Sequence, residues 1–335
     1  MRPAVGDVAV RARGLQIHLF SQQALGRLAR SAGSGVLAGA LQGAGYWPAP
    51  SPRGASPSAA EAIDASIEYG FAQRLAVLST WLGSRRQIFA AVFEDEERRA
   101  LRIRLRFLAS GGSRAGFDRL AGGLWTLPRP LREQLERADD LAEFARALRR
   151  ARSAYAQPIA RALAEHGQDA AALERALDRT FSSRARRAAA RLGGRLRAWV
   201  ADALDLENAW DALIGGGLAF VEGGAQLSRP QHAQIAAEAS EHTRRRRLSR
   251  VFAGTSLSKV FEDPQVPLPA LEGRAMAARI AAERRAARLD PIGAAPILEF
   301  VMRLRAERAD LRRINWGIAQ GLPSDAIVGG MVATQ

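Results

Sequence analysis

The stretch IDASIEYGF at residues 63–71 returns as LERALDRTF at residues 173–181, which is a spacing of 110 residues. In each copy an aliphatic residue and an acid are followed four positions later by a second such pair, and a phenylalanine closes the stretch. A pattern that recurs along a chain indicates a repeated structural unit, and missing it would give the wrong fold. The pair spacing of four is typical of one face of a helix.

The repeat extends beyond these two stretches. Asp95 and Asp205 also lie 110 residues apart, and a looser third copy begins at Leu271-Glu272 and reaches Glu307. We therefore expect one helical unit used three times, each with a helical hairpin, a break, and a long helix that leads into a closing helix. Such units bury little surface alone and should pack into one curved body. The predicted units are residues 8–115, 116–220 and 221–335.

Composition agrees with an all-α fold. The 335 residues are 47% hydrophobic and rich in Ala, Leu, Arg and Glu, which favour helices, whereas aromatic residues make up only 6%. The formal net charge is +15, and Lys259 is the only lysine, so arginine carries almost all of the positive charge. A basic protein is attracted to nucleic acid, anionic lipid headgroups or acidic protein surfaces. The absence of cysteine excludes disulfides and thiolate metal sites.

Local patterns define the first unit further. Ser21 is a predicted N-cap within an amphipathic segment at residues 10–41. Residues 46–58 carry four prolines and cannot be helical, whereas residues 59–82 are predicted as a long helix. The alternation at residues 101–107 would by itself indicate a strand, but the helical flanks favour a helix. We expect residues 329–335 to be a frayed tail.

The closing helices contain recurring polar residues. Asp205 and Asn208 share one helix face, and their equivalents are Asp95 with Arg98 in the first unit and Glu307 with Asp310 in the third. These carboxylates could act as general acids or bases, but no nucleophile or histidine recurs beside them. We favour a structural interpretation, in which they hydrogen-bond to the adjacent unit, because an unpaired buried polar group costs about 1–3 kcal/mol. We expect no catalytic residues.

Cofactor and metal sites are not expected. The four histidines are scattered without a metal-binding spacing, and Lys259 follows Ser258 rather than a glycine-rich phosphate loop. The first residues lack the apolar core of a signal peptide, and no apolar run approaches the roughly 20 residues of a membrane span. We therefore expect a cytoplasmic protein that can touch a membrane surface.

Arg244, Arg245, Arg246 and Arg247 form a run of four arginines. One interpretation is a solvated helix face. A second is an exposed contact with an acidic partner or with lipid headgroups. Nucleic acid is a third, but no aromatic residues lie between the arginines as stacking platforms.

Several stretches, in this order and spacing, resemble the C-type stalk component of bacterial and archaeal V/A-type rotary ATPases, which is similar to the d-type component of the eukaryotic vacuolar ATPase. No single stretch is specific, and the resemblance covers about residues 8–330. Arg98 and Asp310 depart from it, since the family usually has asparagine after the acid of the closing helix. The stretches are LERALD at 173–178 with the later Asp205-x-x-Asn208, FVEGGAQL at 220–227, DPI at 290–292, PILEF at 296–300, and GLP at 321–323.

The resemblance implies a non-catalytic central-stalk adaptor in which three helical units form a funnel-shaped body with pseudo-threefold symmetry. It implies two protein partners, the rotor ring of the membrane sector and the central shaft proteins of D and F type, with one copy of the chain in a hetero-oligomeric complex. Anionic lipid headgroups are a further candidate partner, and the location would be peripheral, at the inner face of the cell membrane. The alternative hypothesis is a basic helical-repeat scaffold that binds nucleic acid or acidic proteins.

Overall fold

The computed structural model describes residues 5–31, 33–46, 58–111, 124, 126–192, 194–216, 220–263 and 265–332. These residues form α-helices, turns and short 3-10 segments, and none of them forms a strand, which confirms the all-α expectation. The helices are α1 Gly6–Gln16, α2 Gln22–Arg30, α3 Ser34–Gly43, α4 Ala59–Leu82, α5 Ala90–Ala109, α6 Arg129–Arg137, α7 Leu141–Arg150, α8 Ala156–His166, α9 Ala170–Leu192, α10 Gly194–Leu213, α11 Arg229–Ala236, α12 Glu241–Val251, α13 Leu268–Leu289, α14 Ala295–Ala319 and α15 Ser324–Gly329.

Packing divides the chain into two units, and the names first unit and second unit are used for these packing units rather than for the predicted repeats. The first unit combines Met1–Gly83 with Phe252–Gln335, and the second is Ser84–Val251. The finer division into three helical units, and the funnel with pseudo-threefold symmetry, remain predictions.

Helix α4 has the bounds that the sequence predicts. It begins with a capping box, in which Ser58 Oγ accepts from Glu61 N (3.3 Å) and the Glu61 carboxylate accepts from Ser58 N (2.7 Å). Its C-cap is Gly83, whose φ of +54° suits glycine. Ile67 and Phe71 are fully buried, and burial of each such side chain stabilises the fold by roughly 1.5–3 kcal/mol.

The core of the first unit lies where α4 and α14 pack together with the N-terminal helices. This apolar cluster includes Met331, which follows the last helix, as well as helix residues. Its other large members are Leu25, Leu28, Leu37, Leu41, Tyr46, Ile63, Ile67, Leu311, Ile314 and Ile327.

Helix α5 contains the alternating stretch at residues 101–107. Leu101 and Leu105 are buried, whereas Ile103 is 41% exposed. A strand would place these three residues on one face, so their burial follows the helical period of 3.6 instead. The prediction of a helix is confirmed.

In the second unit, α9 packs against α5, α8 and α10. Phe181 of α9 is buried, as are Phe144 of α7 and Trp199 of α10. This arrangement places the acidic pair of α9 beside the arginines of α5.

Two N-terminal expectations have different outcomes. Ser21 caps α2 as predicted, because its Oγ accepts from Ala24 N at 3.1 Å. The amphipathic segment predicted at residues 10–41 is divided among three helices, α1, α2 and α3. Gly33, with a φ of +133°, precedes α3 and has a backbone conformation that other residues rarely adopt.

The frayed tail expected at residues 329–335 is wrong for its first half. Met331 and Val332 are buried, and Val332 N donates to Asp310 Oδ1 at 2.6 Å. An apolar contact and a hydrogen bond thus hold this end of the chain on α14. Residues 333–335, and residues 47–57 of the proline-rich segment, lie outside the described part.

Candidate functional site

The recurring polar residues of the closing helices make specific hydrogen bonds and ion pairs in both packing units. On α14, Glu307 is 3% exposed and accepts three hydrogen bonds. Its donors are Phe20 N at 2.5 Å, the Tyr46 hydroxyl, and Arg74 Nη1 at 3.2 Å. Burial raises the pKa of Glu307, and these donors oppose the shift. Burial and the Glu307 charge raise the pKa of Tyr46 well above its ordinary value.

Asp310 and Asn315, which lie on the same helix, bind backbone groups. Asp310 accepts from Val332 N, and Asn315 Nδ2 donates to Ala60 O at 2.8 Å. Both side chains are buried, so each satisfies a backbone group that water cannot reach. Helix α14 therefore fixes both the start of α4 and the C-terminal segment.

On α10, Asp205 is fully buried and accepts three backbone hydrogen bonds. Ala225 N and Gln226 N donate to Oδ2 at 2.7 and 2.9 Å, and Leu227 N donates to Oδ1 at 3.1 Å. A Cβ atom on Gly224 would lie 1.9 Å from Oδ1, which explains the glycine. Burial raises the pKa of Asp205, and the three N–H groups oppose this effect.

Asn208, one turn along, binds the same loop. Its amide donates to Val221 O and accepts from Val221 N, both at 2.8 Å. Further along the helix, Asp211 Oδ2 lies 2.9 Å from Nε2 of the buried His232. Three side chains of α10 therefore hold the loop and helix that follow it.

The equivalent position in α5 is organised around a buried cation. Arg98 is 2% exposed and donates to Asp95 (2.8 Å), Asp178 (2.7 Å) and Glu207. Its guanidinium also lies 4.5 Å from the centre of the Phe181 ring. Burial alone would lower the pKa of Arg98, but the charges of Glu207, Asp95 and Asp178 outweigh it and raise that pKa well above its usual value.

The acidic pairs that define the repeat bind arginines in both units. Asp64 of α4 accepts from Arg312 Nε at 2.8 Å, and Glu68 lies 3.6 Å from Arg308. Glu174 of α9 accepts two hydrogen bonds from Arg106, at 2.6 and 2.7 Å. The neighbouring Asp178 binds Arg98 and Arg102.

Sequence reasoning identified the acids of these pairs and missed their arginine partners. The available signal was the spacing of four in Arg102 with Arg106 and in Arg308 with Arg312, which places each pair on one helix face. Two arginines four residues apart can pair with two acids four residues apart on another helix. The spacing alone does not show which two helices pack together.

The arginine run lies on α12, and its four side chains differ in how exposed they are to solvent. Arg245 is buried and binds Glu241, and Arg244 is half-buried, so the expectation that all four are exposed is wrong for these two residues. The cause is helical periodicity, because Arg245 shares a face with the buried Leu248. Arg246 and Arg247 are exposed, and Arg247 binds Glu238 at 2.5 Å. Their contact with a partner stays a prediction.

Two further properties concern the described residues only. Each of their helices is too short or too polar to cross a lipid bilayer. Their His, Asp and Glu side chains form no cluster that could hold a metal ion.

The family model described as ATP synthase (C/AC39) subunit matches residues 8–329, nearly the whole chain. No curated protein sequence matches the chain at a significant level. The match includes both acidic pairs, the polar residues of all three closing helices and the arginine run. The chain belongs to the ATP synthase (C/AC39) subunit family.

Proposed function

We propose that the chain is a non-catalytic central-stalk adaptor of a rotary V/A-type ATPase. In this role it couples the central shaft of the catalytic head to the rotor ring of the membrane sector, for proton or sodium transport. Its partners are the ring and the shaft proteins of D and F type, and it lies on the cytoplasmic face of the membrane. The family match over residues 8–329 is the observation that carries the proposal.

The side-chain networks support a mechanical role. An adaptor that transmits torque must resist shear between its helices, and close-packed interiors transmit strain because they are hardly compressible. In the first unit the α4–α14 contact is cross-linked by the pairs of Asp64 with Arg312 and Glu68 with Arg308. In the second, Glu174 and Asp178 cross-link α9 to α5. Bidentate arginine–carboxylate pairs add geometric specificity to such a contact.

The charge supports a location beside anionic surfaces. The net charge of +15 attracts acidic proteins and phospholipids, at about 1 kcal/mol for each arginine near an anionic surface. Arg246 and Arg247 are exposed on α12 and are the arginines of the run that can make such a contact.

Reconstitution tests the coupling role. Catalytic head and membrane sector are combined in vesicles with and without the chain, and ATP hydrolysis and ion uptake are measured together. We expect hydrolysis to persist without the chain while ATP-driven ion uptake is lost, and addition of the chain to restore uptake. Uptake that does not depend on the chain would refute the proposal.

A second comparison tests the arginine contact. The double variant Arg246→Ala/Arg247→Ala should weaken assembly at low salt, whereas Arg27→Ala/Arg30→Ala, which removes two exposed arginines from α2, should not. Equal assembly of both variants would exclude the contact. Salt-sensitive binding to duplex DNA with an affinity above that for the membrane sector would favour the basic scaffold hypothesis instead.

A further inference from the structure

The second unit contains a cavity of about 350 Å³ that none of the networks above uses. It lies between the start of α5, the start of α6 and the turn that joins α7 to α8. Apolar surface comes from Leu131 and neighbouring prolines, and polar groups come from Glu94, Glu97, Arg152, Tyr155 and Arg184. The size is at the lower end of the range for ligand sites, which suits one long side chain.

Tyr155 is the first sign that this cavity binds something. The residue is 1% exposed, and its hydroxyl has no hydrogen-bond partner among the described residues. Buried hydroxyl groups are almost always hydrogen-bonded, so an orphan one needs an explanation. Burial raises the pKa of Tyr155, and the charges of Glu97 and Glu94, which line the same cavity, add to the shift.

Glu97 is the second sign. The described residues give its half-buried carboxylate no hydrogen bond and no ion pair within 4 Å, although Glu94 beside it is bound bidentately by Arg184 at 2.7 and 2.9 Å. Burial raises the pKa of Glu97, and the charge of Glu94 raises it further. A half-buried carboxylate that lacks a partner lowers stability, and an added cation would remove that cost.

We propose that this cavity binds the guanidinium or ammonium group of a basic side chain from a partner protein. The cation pairs with Glu97, donates to the orphan Tyr155 hydroxyl oxygen, and lays its methylene stem on Leu131 and the prolines. Arginine and lysine commonly bury their stems on apolar surface in this way. Glu94 and Arg184 pair with each other, which leaves Glu97 as the carboxylate of this lining without an ion-pair partner among the described residues. Arg152 also lines the cavity, so the attraction for a cation comes from Glu97 locally and not from a net negative charge of the lining. The inference does not depend on which complex the chain joins.

The chain has three tyrosines, which makes the test direct. Full-length protein labelled with ¹³C-tyrosine is titrated at constant chloride with N-acetyl-L-arginine N-methylamide, which mimics an arginine residue in a chain. We expect a saturable shift of the Tyr155 signal, while the signals of Tyr46 and Tyr69 stay in place. The citrulline analogue, which has the same shape without the charge, should cause no saturable shift.

Matched variants decide between this site and a general charge effect. Glu97→Gln keeps the shape of the side chain and should weaken binding about tenfold or more, since it removes a charge-assisted hydrogen bond. Glu165→Gln removes an exposed acid from α8 in the same unit and should leave the affinity unchanged.

Tyr155→Phe, followed at the backbone amide of Ser153, should weaken binding by about three- to tenfold. The proposal is overturned if no saturable shift occurs, if the citrulline analogue acts equally, or if Glu97→Gln binds as tightly as the native chain. Tighter binding of free spermidine than of the arginine analogue would overturn the assignment to a protein side chain.

Discussion

The two packing units use the same acidic pair in opposite electrostatic settings. In the second unit, the pair on α9 binds Arg98, a cation that is 2% exposed and is surrounded by three carboxylates. In the first unit, the pair on α4 binds Arg312, whose side chain is 41% exposed. Among the buried charges of the first unit, the carboxylate of Glu307 accepts three hydrogen bonds. The same acidic pair therefore binds a buried arginine in one unit and a partly exposed arginine in the other.

The difference shows what the repeat retains. Both units keep the acidic pair and the helix–helix contact that it bridges. They differ in which charged side chain is buried away from water. A buried charge is strongly destabilising when it loses its partner, and an exposed pair contributes little. The energetic weight of the network should therefore lie at Arg98 in the second unit and at Glu307 in the first.

Removal of Arg98 is the largest expected effect. Arg98→Met preserves much of the volume but leaves the carboxylates of Asp95, Asp178 and Glu207 without their shared cation. We expect a loss of about 3–5 kcal/mol in the free energy of unfolding, measured by urea titration, because a buried charge network loses its centre. Arg312→Met is the matched variant in the first unit and should cost less, since Arg312 is partly solvated and the buried Asp64 keeps the hydrogen bond from Trp316 Nε1. Equal losses in the two variants would contradict the comparison.

Asp205 should rank next. Asp205→Ala leaves the backbone N–H groups of residues 225–227 without their acceptor, of which that of the buried Leu227 is the least accessible to water, and we expect it to cost about 1–3 kcal/mol in urea unfolding. Asp205→Asn retains one side-chain oxygen and should cost less. An unchanged unfolding free energy in the alanine variant would show that water replaces the carboxylate and that the loop does not depend on it.

The buried carboxyl group of Glu307 leads to a prediction about how the stability of the chain depends on pH. The pKa of Glu307 is raised above its ordinary value of 4.5, so the folded state binds the proton more tightly than the unfolded state. The resulting contribution to stability is fully present below pH 4.5 and is lost as the pH rises through the folded pKa. We expect the stability of the native chain relative to Glu307→Gln to fall as the pH rises from 4.5, in urea titrations at several pH values. A difference that stays constant with pH would show that Glu307 has the same pKa in both states.

Sequence patterns predicted the part of this organisation that is local. The predicted bounds of α4 follow from the proline-rich segment that precedes residue 59 and from the helical spacing of the apolar residues after it, both of which act within a few residues. The repeat spacing likewise identified Asp205 and Asn208 as a pair on one helix face. The local pattern was sufficient because the helix period alone determines which residues share a face.

The remaining features depend on partners far along the chain. Arg98 was identified as the equivalent of Asn208 and as a departure from the family pattern, but not as the cation that bridges Asp95, Asp178 and Glu207. Nothing in the local sequence of α5 indicates that α9 and α10 bring two further carboxylates to it. Met331 looked like part of a frayed end because its burial depends on the packing of α2 and α14 around it.

The smallest expected change in stability concerns two helices that end in the same type of turn. Helix α3 ends with Gly45 at φ +78°, and Tyr46 N donates to Leu41 O while Gly45 N donates to Gln42 O. Helix α7 ends with the same two bonds around Arg152 at φ +53°, a conformation that glycine usually supplies.

Because an L-residue in this conformation costs roughly 1 kcal/mol, Gly45→Ala should lower the free energy of unfolding by about 1 kcal/mol, and a Cβ there meets no atom within 4 Å. Arg152→Gly should raise it by about 0.5–1 kcal/mol, since the strain is relieved, although glycine's greater freedom in the unfolded chain offsets part of the gain. If Arg152→Gly is instead destabilising, the side chain of Arg152 stabilises the free protein by more than the backbone strain costs. The turn at Arg152 would then differ from the turn at Gly45 in needing its side chain.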